Sequence, residues 1–151
     1  KLFMAFDAFA VPDLADFLLA KFSGLEQDGQ VALISDAPRK EFVSTAITIY
    51  SSATSARQAE QYGQALIVPL ASFFTVEDVT RTLDAVLGNS QISYATGSPD
   101  LMLELFRLTP GLIDQSRPIW QGFVDAMTVR NEGKADARYS YPEIRARLGN
   151  P

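Results

Sequence analysis

Two aspartates and one short turn are the residues of this chain whose types and placement could do chemistry. Asp7 interrupts an otherwise apolar run over residues 2–10, where an ionised carboxylate is costly unless it is paired or used. Asp36 follows a second apolar run, residues 31–35, at a position where α/β folds often place functional groups. Together they could hold a divalent cation such as Mg2+ or share a proton. The plainer reading is favoured: Asp7 faces solvent on an edge strand, and Asp36 is a turn or cap residue. Thr96, Gly97 and Ser98 precede a helix start, so free backbone N–H groups and the helix dipole could receive a phosphate or carboxylate there. The same residues would serve any ordinary strand-to-helix turn.

Beyond these positions the composition mostly excludes. The 151 residues contain no cysteine and no histidine. The thiolate nucleophile, the zinc sets built on Cys or His, the Ser-His-Asp triad and the side chain that titrates near neutral pH are therefore all missing. No G-x-G-x-x-G and no G-x-x-x-x-G-K-[ST] occurs, so nucleotide binding lacks its strongest signatures. The sequence calls for no cofactor and no metal.

Phe3-Met4-Ala5-Phe6-Asp7-Ala8-Phe9 resembles the first motif of the haloacid-dehalogenase-like phosphotransferases, and Leu33-Ile34-Ser35-Asp36 loosely resembles their second. The resemblance implies Asp7 as nucleophile. The chain departs from the pattern at Phe9, where the family has a second Asp, and no later acidic pair follows a strand. The family assignment is not adopted on these residues.

The elements that must position such groups read as a mixture of strands and helices. Residues 2–10 and 31–35 read as strands, with a helix from Pro12 to Leu25 between them. Only residues 36–41 separate the second strand from the β-branched run 42–50, and so short a link favours an antiparallel hairpin. A helix over 55–65 and a strand over 66–70 complete a βαββαβ order. The expected fold is thus α+β, a mixed sheet with a ferredoxin-like core. An additional αβ unit follows. Its helix opens at Thr75 with a capping box to Asp78 and a Phe74/Val79 staple, and stops at Gly88-Asn89; its strand is 91–95. A further helix starts at Ser98, as N-cap, and Pro99. A competing parse makes 38–44 a short helix capped by Asp36, which gives a doubly wound flavodoxin-like sheet instead. No internal repeat is legible.

The C-terminal part reads as helices. A segment starts at Thr109-Pro110-Gly111 and is kinked or restarted at Pro118. Trp120, Phe123, Val124 and Met127 then form an amphipathic stripe. Residues 131–136 form a polar linker, and Ser140-Tyr141-Pro142-Glu143 fits a capping box for a short arm whose apolar face is Tyr141, Ile144 and Leu148. Residues 1–130 thus read as one domain and 131–151 as linker and arm.

Net charge is −5, with −7 carried by the first 127 residues and +2 by the rest. An acidic body makes nucleic acid a poor partner. No apolar run approaches the length of a membrane span. The absence of cysteine fits the cytoplasm, while a first residue of Lys1 leaves room for a removed targeting segment.

These observations favour a non-enzymatic interaction or assembly module, a domain of a larger protein or a homo-oligomer subunit. It would dock through its C-terminal helices, with Trp120, Phe123, Met127, Tyr141, Ile144 and Leu148 at the interface. The alternative is a small α/β enzyme or ligand-binding domain using the carboxylates and the helix N-terminus for an anion or Mg2+.

Overall fold

The structure is a computed structural model that describes residues 36–149. Every element among the described residues is helical and none is a strand. The α+β sandwich with its ferredoxin-like sheet is therefore overturned, and so is the doubly wound alternative. The elements expected at 2–10, 12–25 and 31–35 lie outside the described residues, as does Asp7.

The decisive misreading is the β-branched run at 42–50. It forms the greater part of α1, Asp36–Ser51, and buries Phe42, Val43, Ala46, Ile47, Ile49 and Tyr50. That spacing repeats with the helical rather than the strand period. β-Branched residues lower helix propensity only slightly, and burial of a continuous stripe outweighs the difference. Thr48, within the run, satisfies its hydroxyl locally: its Oγ1 donates to Ser44 O at 3.0 Å.

Ser55 caps α2, Ala56–Tyr62, by accepting from Gln58 N. The chain stays helical through a π turn, Gly63–Ile67, then α3, Val68–Leu70, and a 3-10 turn, Ala71–Phe73. The strand expected at 66–70 is therefore also helix. Val68 N donates to Gly63 O, five residues back, and this wide turn stands just before Pro69, whose ring would otherwise press on the carbonyl four residues earlier. At Gly63 a Cβ would press on the Leu101 side chain, which would have to shift to make room for it.

α4, Val76–Gly88, is framed as its sequence predicts. Thr75 Oγ1 accepts from Asp78 N, and Asp78 Oδ2 accepts from Thr75 N at 2.9 Å. Its stop differs from expectation, because Asn89 is extended rather than left-handed. The Asn89 side chain instead caps α5, Ser90–Ser93, and donates to Ser51 O and Ala53 O, tying this corner to the end of α1. The strand expected at 91–95 is thus a short helix and turn. α6, Ser98–Leu108, has Gly97 rather than Ser98 as N-cap. After a 3-10 turn at Pro110–Leu112, α7, Ile113–Arg130, runs unbroken through Pro118. A 3-10 turn, Ala137–Ser140, and α8, Pro142–Gly149, complete the order.

These helices stack in two layers. α1 packs on α4 and α4 on α7. In the second layer the segment from the π turn through the 3-10 turn at Ala71–Phe73 packs on α6, and α6 on α8. The second and third helices of the first layer, α4 and α7, begin at Val76 and Ile113.

Leu83, 1% exposed in the middle helix of the first layer, gives a direct test of this packing. Leu83→Ala should cost about 2–5 kcal/mol in urea unfolding, whereas Val129→Ala at a 72% exposed position should change stability by less than about 0.5 kcal/mol.

Candidate functional site

Thr96-Gly97-Ser98 is not open to an external anion. Gly97 N donates to Glu60 Oε1 at 3.0 Å, so a carboxylate from α2 already sits at the N-terminus of α6. Ser98 is buried and its hydroxyl donates to Ile92 O, while Thr96 is exposed. The chemistry anticipated for a ligand is used to hold two helical segments together. Asp36 is the first residue of α1, and among the described residues no group of three or more Asp or Glu side chains could hold a metal ion.

The six residues expected at an interface lie inside this chain. Trp120 and Met127 are 0% exposed, and Phe123, Tyr141, Ile144 and Leu148 are likewise buried. Trp120 meets Phe106 edge-on at 5.2 Å and Phe123 at 6.2 Å, and Phe123 meets Tyr141 at 4.9 Å. This aromatic ladder joins α6, α7 and α8. Tyr141 takes a left-handed conformation, φ 52°, which turns the chain into α8 and seats its ring against Phe123. Glu143 does not close the capping box expected at Ser140–Glu143; its carboxylate accepts from Arg107 and Arg147 instead.

Among the described residues, three buried side-chain polar atoms lack a hydrogen-bond partner: Tyr50 Oη, Trp120 Nε1 and Tyr141 Oη. The Ser98 hydroxyl lies beside Tyr50 and donates its own proton to Ile92 O. Burial pushes both phenols above the usual tyrosine range; the closeness of Tyr141 raises Tyr50 further, and Ser98 opposes the shift.

The concave surface lies on the outer side of the C-terminal helices. A groove of about 550 Å3 runs between α6, α7 and α8, lined by Phe106, Ile113, Arg117, Glu143, Ala146 and Arg147. A smaller hollow of about 130 Å3 lies along the same α6/α8 seam, lined by Pro99, Leu103, Pro142 and Ile144 among others. Glu143 borders both. Its Oε1 accepts from Arg107 Nη2 at 3.0 Å and from Arg147 Nη2 at 3.2 Å. Arg117 Nη1 donates to the Leu148 carbonyl at 2.7 Å, closing the C-terminal end of α8. Sequence reasoning missed this groove. Glu143 and Arg147 are legible as an i,i+4 pair, but Arg107 joins them only through the packing of α6 on α8.

No family pattern, no curated protein and no solved structure matches this chain. No helix among the described residues is long and apolar enough to cross a membrane.

Two outcomes follow from the buried face. Raised phenol pKa values mean that stability is fully present below the unfolded-state value of about 10 and is lost as pH rises beyond it, because the unfolded chain releases its protons first. Urea unfolding should weaken by up to about 1.4 kcal/mol per pH unit for each buried phenol above that point. Tyr50→Phe with Tyr141→Phe should remove most of that slope. Deleting residues 140–151 should lower Tm by more than about 5 °C, since it takes Tyr141, Ile144 and Leu148 out of the core.

Proposed function

We propose that this chain is a non-enzymatic interaction or assembly module, a domain of a larger protein or a subunit of an assembly, which docks a protein partner through its C-terminal helices. The groove between α6, α7 and α8 carries this reading. It is the largest of the hollows described above, and its floor includes the edge of Phe106 and the half-buried Ile113. Stacked helix pairs characteristically present extended binding surfaces of this kind, built from the outer positions of successive helices. The docking face is thus the outer side of α6 and α8, while the aromatic residues beneath it hold those helices in place.

A photo-crosslinking amino acid at exposed Ala146, inside the groove, tests the reading against the same group at exposed Asp84 on α4. In cells making the protein, Ala146 should give a discrete adduct that excess unmodified protein suppresses, and Asp84 should not. Adducts at both positions alike, or at neither, would overturn the docking assignment.

A further inference from the structure

The seam between α6 and α8 pairs apolar hollows with an excess of guanidinium groups. On α6, Pro99, Leu103 and Phe106 recur at i, i+4 and i+7 along the seam, and Pro142 and Ala146 face them from α8. The Arg107–Glu143–Arg147 cluster separates the two hollows. Two guanidinium groups there share a single carboxylate, which leaves one positive charge unmatched. Arg117 supplies a second, since it donates to the neutral Leu148 carbonyl and forms no ion pair with a carboxylate among the described residues. Arg138 borders the smaller hollow but is closed off by Asp136, whose carboxyl it holds below the usual range. Asp100 supplies a negative charge at the far end of that hollow.

Glu143 also reports what this rim accepts. All three of these ionic side chains are about half exposed, so the carboxylate is held at the surface rather than locked in a core. An incoming carboxylate can take its place between the arginines with the same charge-assisted geometry. The chain as a whole is acidic, yet the screening length at physiological salt is about 8 Å, so the local excess at the rim governs a docked segment.

Resting on the docking reading above, we infer that the α6/α8 seam binds an acidic peptide segment of a partner protein, with apolar side chains in the two hollows and its carboxylates on Arg107, Arg117 and Arg147.

The test uses the purified full chain and a fluorescent peptide alternating Asp-Glu pairs with Leu and Phe, beside a counterpart in which Lys replaces every acid. Anisotropy should show the acidic peptide binding at least about tenfold more tightly than the basic one, and less tightly as salt is raised. Arg107→Glu with Arg147→Glu should weaken it by about tenfold or more with an unchanged circular dichroism spectrum. Glu143→Gln should strengthen it several-fold by releasing both arginines. Equal binding of the two peptides, binding of neither, or indifference to these substitutions would overturn the inference. If the Ala146 adduct forms while the acidic peptide fails, the docking reading stands and its charge assignment falls. Sedimentation showing a dimer of the chain alone that the double substitution splits would give the seam to a second copy, and would likewise overturn the inference.

Discussion

Each helix of this chain carries more apolar surface than one neighbour can cover, and the stack follows from that constraint. α4 is the clearest case. Val79, Thr82, Leu83 and Val86 are all buried, because α1 covers one flank and α7 the other. A helix of 13 residues with a capping box at its N-terminus remains marginal in water, so its stability comes mainly from those two contacts. The same condition applies to α6, held between the π-turn segment and α8.

Burial on several sides brings hydroxyl-bearing and β-branched residues into helices that would disfavour them in isolation. The chain meets the cost in a uniform way. Thr80, Thr82, Thr109, Ser116 and Thr128 each donate to the carbonyl four residues back, as Thr48 does. Thus Thr82 and Ser116 can be wholly buried without an orphaned hydroxyl. The exceptions are Tyr50, Trp120 and Tyr141, whose polar tips are too far from their own backbone for that solution. Trp120 and Tyr141 among them supply aromatic area that packs the last two helices together.

That device explains which parts of the fold were legible. The capping box at Thr75–Asp78 could be read directly, whereas Ser98, expected as an N-cap, is the first residue of α6 with Gly97 before it. The amphipathic stripe of Trp120, Phe123, Val124 and Met127 was also visible as a helix face, though not what covers it. Strand or helix could not be decided for 42–50 from composition, because Val, Ile, Thr and Tyr favour strands on average while their burial here follows the helical period. Residues 66–70 and 91–95 were shorter apolar runs with the same ambiguity. The stacking itself left no sequence repeat, since it depends on the direction of each apolar face rather than on particular residues. The site was less legible still. Thr96-Gly97-Ser98 does sit at a helix N-terminus with an anion, but the anion is Glu60, 37 residues earlier in the chain. The six aromatic and aliphatic residues expected at an interface with a partner are buried instead within this chain, where they pack its own helices.

Stacking also separates the roles of the two sides of the C-terminal helices. The inward residues of α8, Tyr141, Ile144 and Leu148, are buried against α6 and α7, so they answer to stability. The outward ones, Glu143, Ala146 and Arg147, are exposed and form no part of the core. Exposed ion pairs contribute about 0–1 kcal/mol to folding, so the Arg107–Glu143–Arg147 cluster carries little structural weight. Its members can change partners at small cost to the fold. A surface built this way can exchange its internal carboxylate for an external one while the aromatic ladder beneath keeps the two helices at fixed spacing. Rigid support under replaceable polar contacts is the arrangement in which binding energy goes into the partner rather than into reordering the receptor.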